Sequence, residues 1–260
     1  MRKILLFCFL VSCLSGCGQG TIQPVTALPA AKTIVVVPSV PKAFRLATTG
    51  LTVFNNYLDI VDESGWGLNQ IAYDAVVKGL PAGYQVSEAL PDSELVDEQS
   101  RLDAADGLGL VANVGDLVKN HVHVAQAPDL YIVLCVSARA YPYSEQPNIG
   151  IDVGADEMRG PLAGATTPGL HTFLLLTVVD GKTLKPIYDT PLKTTNDLKG
   201  PLSGLLGPSI PPIKSLDGFA WQDKWSDLTQ AQQDRMKAET QSLLAQSVEY
   251  TVSHMEMASH

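Results

Sequence analysis

The chain has 260 residues, and 27 acidic against 18 basic side chains give it a net charge of −9. So acidic a body lacks the basic patches that nucleic acid or an anionic lipid surface demands. The length is ample for one large domain or two small ones.

The amino terminus reads as an address. Arg2 and Lys3 precede Ile4 to Leu14, where every residue but Ser12 is apolar or cysteine. A spanning helix needs roughly 20 apolar residues, and this run is too short, so its layout predicts a secretory signal. The run ends in Leu14-Ser15-Gly16-Cys17. That stretch resembles the lipobox of bacterial lipoproteins, in which the cysteine is acylated and the signal is cut just before it. The resemblance implies a signal over 1–16, lipidation at Cys17, and attachment to the membrane through that lipid. Gly18, rather than Asp, follows the cysteine. In the family this implies sorting to the outer membrane, with the body facing the periplasm. Arg2 and Lys3 leave with the signal and no acid does, so −9 becomes −11 in the mature chain. Cys8 and Cys13 leave too, and Cys135 remains as the one unmodified thiol. Its setting, "LYIVLCVSA", predicts burial as a small hydrophobe.

Within 17–32, the lipidated Cys17 is followed by residues 18–32, small and polar with two prolines, which read as a tether. Fifteen such residues reach at most about 50 Å. The folded domain is expected over 33–260. Thr33 to Val37, β-branched and ended by Pro38, predicts a short buried strand. "AFRLATT" (43–49) follows, and Leu51, Val53, Leu58 and Ile60 predict a strand broken around Asn55-Asn56. Leu68, Ile71, Ala72, Val76 and Leu80 recur at helical spacing, and Pro81 and Gly83 stop that helix before the strand "GYQVSEAL". Residues 91–107 are acidic and read as a loop or surface helix; a second helix is expected over 108–119. "DLYIVLCVSARAY" is apolar almost throughout and predicts a central strand covered on both faces. The Gly- and Pro-rich stretch 142–170 yields no assignable element, and 199–213 reads as a long loop. Between them, "LHTFLLLTVVDGKTLKPIYDT" predicts a hairpin turning at Asp180-Gly181. A last helix over about 230–253 opens with Thr229 and Gln232 at capping-box spacing and buries Met236, Leu243, Leu244, Val248 and Val252. The order predicts an α/β fold: a single mixed β-sheet with helices packed on it, closed by the C-terminal helix.

No catalytic set emerges. Ser39 and Lys42 have Ser-x-x-Lys spacing, but Pro41 between them opposes the helical turn that spacing needs. His121 and His123 would face one way on a strand, yet a zinc site wants two further ligands, and a surface pair is preferred. Asp152, Asp156 and Glu157 lack the every-second-residue spacing of a calcium loop and read as solvated. No metal, cofactor or nucleotide motif is present, and the chain is expected to be no enzyme. Trp221 and Trp225, four apart before the last helix, serve either as a staple to the core or as a partner-binding surface.

Laid in order, these elements resemble the periplasmic α/β domains of small envelope lipoproteins. Among these are the curli-secretion lipoprotein, the lipoprotein activators of peptidoglycan synthases and the N-terminal domain of the Tol-Pal translocation protein. The matching positions are Asn55 or Asn56, Leu80, Tyr84 to Val86, Asp129, and Asp180 to Thr183. No pair of long alternating apolar runs marks the curli pore's hairpins, so a pore is not implied. The shared work of those families implies a non-enzymatic accessory or assembly factor with an envelope protein partner. The alternative is a carrier of a saccharide or lipid, with the Gly/Pro loops as its mouth.

Overall fold

A computed structural model describes residues 31–49, 57–97, 114–137, 149–154, 168–193 and 213–255. The expected signal, Cys17, the tether up to residue 30, Asn55-Asn56 and most of both Gly/Pro stretches lie outside the described residues, while Ala31 at the tether's end is buried. The fold is mixed α/β, as its element order indicates, but it has two sheets where one was expected.

The first sheet is built on β1 (Thr33–Pro38), whose register runs parallel to both β4 (Gln85–Glu88) and β6 (Leu130–Ser137). β9 (Leu174–Asp180) adds antiparallel to β6, β10 (Pro186–Pro191) to β9, and the two-residue β5 (Val96–Asp97) extends the far end of β6. The second sheet has the order β11-β8-β7-β2-β3. It comprises β2 (Ala43–Thr49), β3 (Tyr57–Asp62), β7 (Ile149–Gly154), β8 (Gly169–Thr172) and β11 (Ile213–Ser215). The chain passes between the sheets five times, and the two shortest passages are residues 39–42 and Phe173 alone. Corners of this kind let one strand run feed two packed sheets. Periodicity reports which residues face a core, but not which sheet a strand joins.

The period of two in β1 and β6 sorts their side chains onto opposite faces. Ile34, Val36, Leu130, Ile132 and Leu134 enter the larger core. There they meet α1 (Leu68–Gly79) and α3 (Gln230–Ser253), the latter burying Met236, Leu243, Leu244, Val248 and Val252 as expected. Val35, Val37, Tyr131, Val133 and the buried Cys135 form a second core with Val114 and Val118 of α2 (Val114–His121). Both faces of β6 are therefore covered. Three buried hydroxyls lie within the α3 stripe, and Thr240, Ser247 and Thr251 each donate back to the carbonyl four residues earlier.

The capping box of α3 is formed as its spacing predicts. Thr229 Oγ1 accepts from Gln232 N, and Gln232 Oε1 accepts from Thr229 N at 2.8 Å. Thr229→Ala is expected to lower the unfolding free energy by about 1 kcal/mol, checked by urea denaturation.

Two aspartates that carry the family resemblance build turns. Asp129 Oδ2 accepts from Lys32 N, Thr33 N and Thr33 Oγ1, which locks the start of β1 to the start of β6. Asp180 Oδ1 accepts from Lys182 N, Thr183 N and Thr183 Oγ1. Hydrogen bonds to these carboxylates hold both below the usual range. The hairpin is present, but it turns through 181–185 rather than tightly at Asp180-Gly181.

Candidate interaction site at the β3 edge

Among the described residues β3 is the edge strand of the second sheet, paired with β2 on one side. Its sequence, "YLDIVD", alternates in burial as a strand with one packed face should. Tyr57, Asp59 and Val61 are half-buried. Leu58 and Ile60 point outward, 49% and 52% exposed, and they are two of the four large apolar side chains exposed among the described residues. An edge strand offers a row of unpaired backbone donors and acceptors, and proteins usually blunt such an edge with charge, proline or a bulge. On the outward face of β3 those devices give way to Leu58 and Ile60, with Asp62 only at the strand's end.

The inner face of this edge is held by a strap, residues 217–228, that precedes α3. Trp225 N donates to Asp59 Oδ2 at 2.8 Å. Its ring lies 5.8 Å from Trp66 and 6.2 Å from Phe44, and Phe44 lies 5.0 Å from Trp66. Trp221 Nε1 donates to Thr48 Oγ1 at 2.9 Å and to Asp223 Oδ1 at 3.1 Å. From α3, Gln232 donates to Ala220 O, Gln233 to Trp225 O, and Arg235 to Asp217 O while lying over the Phe219 ring. Trp221 and Trp225 are thus brought together with β3 as half-buried rings that fasten the strap, each keeping an exposed rim.

Glu63, the residue after β3, is one that the sequence reading passed over. It is 2% exposed, and neither carboxylate oxygen has a hydrogen-bond partner. Burial, reinforced by Glu94 and Asp62, pushes its carboxyl up to about 8, so at neutral pH it is mostly the uncharged acid. Asp62 beside it is exposed and held down by the Ser64 backbone and side chain. An Asp-Glu pair at a strand end reads as solvated, and nothing local marks one of the two for the interior.

The other sequence candidates lie elsewhere. Ser39 is buried, and its Oγ accepts from Leu95 N at 2.7 Å, so this side chain ties the segment before β5 to the end of β1. His121 and His123 do not share a strand: His121 ends α2 and His123 follows it. Both nonetheless reach Asp92, at 2.8 and 3.4 Å. Among the described residues no group of three or more His, Cys, Asp or Glu is arranged to hold a metal. Asp156 and Glu157 lie outside the described residues, and Asp152 enters the ladder of β7. No helix among the described residues is long and apolar enough to cross a membrane.

No family model matches this chain, and no curated protein matches it. Among solved structures it is similar to the lipoprotein GNA1162 from Neisseria meningitidis, at 14% identity over 67% of this chain and 92% of that one, with a TM-score of 0.25. A likeness of that size carries no argument about function.

Proposed function

We propose that this chain is a lipid-anchored accessory or assembly factor of the bacterial envelope that acts by protein–protein contact and not by catalysis. In this reading Cys17 carries the lipid, the segment to residue 32 is the tether, and the domain faces the periplasm from the outer membrane. The lipobox spacing at Leu14-Ser15-Gly16-Cys17 supports the anchor. Two or more acyl chains hold a protein at a bilayer where one does not.

The observation that carries the contact reading is the β3 edge, with Leu58 and Ile60 outward and the Trp221–Trp225 strap behind it. A partner strand added there would pair with the outward backbone groups of β3, taking the Ile60 N–H from Asp59 Oδ1 at 3.1 Å, and would cover both side chains, the mode of β-augmentation. The exposed rims of Trp221 and Trp225 would flank the contact. The test is a photoreactive benzoylphenylalanine placed at Leu58 in intact cells, with Val77 of α1, also exposed, as the control position. One discrete adduct from position 58 and none from 77 is expected; the same bands from both would overturn the reading. The anchor is tested separately, by a globomycin-sensitive mobility shift that Cys17→Ala abolishes.

A further inference from the structure

Glu63 joins three elements at the end of the β3 edge. Its N–H donates to Lys42 O at 2.8 Å, which continues the ladder between β2 and β3 past the Ala43–Asp62 pair. Its carbonyl accepts from Trp66 N at 2.7 Å, closing the short 3-10 turn Ser64–Trp66. Trp66 in turn rests on Phe44 and Trp225 and accepts Gln241 Nε2 at its carbonyl. The Glu63 side chain lies inside this junction with no donor offered to either oxygen. A buried carboxyl is tolerated there only while it keeps its proton.

The charged groups around it sharpen that condition. Asp62 on its own strand and Glu94 from the segment before β5 both act against a negative charge at Glu63. Lys42 of the turn into β2 acts on Asp62, and Lys237 of α3 reaches toward Gly65 O at 3.5 Å rather than to the carboxyl. No cation is directed at Glu63 from any of these. Asp62 and Ser64 on either side of it are exposed.

We propose that Glu63 is a pH-sensitive latch on the β3 edge: loss of its proton opens the Glu63–Trp66 turn and frees β3 from its fixed register, so that alkalinity releases a partner docked there. The value of the latch to the protein rests on the docking reading above, whereas its operation does not require a partner. The acid form holds the turn closed up to neutral pH. Ionisation becomes substantial as pH passes about 8.

Amide hydrogen exchange on the full-length protein in detergent tests this. Protection is measured from pH 6.5 to 9 and corrected for intrinsic base catalysis. Peptides covering Tyr57 to Trp66 are expected to lose protection at least ten-fold across that range in the wild type, and less than two-fold in Glu63→Gln. Peptides of α3 should stay better protected than these at every pH, and should hold steady in Glu63→Gln. An equal loss in wild type and variant, or protection of the Tyr57 to Trp66 peptides no weaker than that of α3, would overturn the latch. Glu63→Leu provides the same comparison if the Gln variant does not fold. Because no partner is involved, a failed latch here and a failed adduct from position 58 are separate outcomes.

Discussion

Glu63→Gln is expected to remove a large pH-dependent component of stability, worth about 4–5 kcal/mol between acid and alkaline conditions. The sign follows from the direction of the shift. The folded protein holds the Glu63 proton up to about 8, whereas the unfolded chain releases it near 4.5. Stability from this group is therefore complete below about 4.5 and declines as pH rises through 8, because the native state alone must bind the proton or bury the charge. The amide mimics the uncharged acid in shape and cannot ionise. Wild type and variant should unfold at similar urea midpoints near pH 5. By pH 8.5 the variant should be the more stable by several kcal/mol. Parallel curves for the two proteins would show that the carboxyl reaches solvent or a counter-ion.

Phe44→Ala is expected to cost about 3–5 kcal/mol. The side chain is fully buried, and its ring packs tilted against Trp66 and edge-on to Trp225, at 5.0 and 6.2 Å. The loss includes the transfer free energy of the ring and the cavity left beneath two large aromatics that are tied elsewhere. Trp225 is held by Asp59 and Gln233, and Trp66 by Gln241, so neither can collapse freely into the space. Tryptophan fluorescence reports this junction directly. In urea its transition should precede the loss of helical circular dichroism, which is dominated by α3. Coincident transitions, displaced from wild type by less than about 1 kcal/mol, would place the ring outside the stabilising core.

The local pattern carried the elements well and their assembly poorly. β6 was legible as a doubly covered strand because its apolar run is unbroken, and both cores now meet across it. The last helix was legible from its cap and its stripe. The second helix was placed over 108–119, but its described turns run from Val114 to His121. The division into two sheets was not legible, because it rests on pairings such as Phe44 with Ile149, which lie far apart in sequence. The hairpin turn was misread for a different reason. Gly181 reads as half of a tight Asp-Gly turn, yet its role is close approach: a Cβ there would lie 1.8 Å from Pro128 O. Asp180 meanwhile organises a longer turn through Lys182 and Thr183. At the candidate site the two tryptophans were visible in advance. Leu58 and Ile60 were assigned to a strand with no sign that it forms an edge, and the burial of Glu63 has no local signature at all.

On the proposed function, the outward face of β3 is the surface that meets the partner. This is tested most directly by a photoreactive residue at Tyr57, in cells making either the wild-type edge or the double variant Leu58→Lys, Ile60→Lys. Both lysines would project into solvent, so thermal unfolding should stay close to wild type. A discrete adduct is expected with the wild-type edge, and its loss in the double variant. An adduct of undiminished yield from the lysine-bearing edge would contradict it.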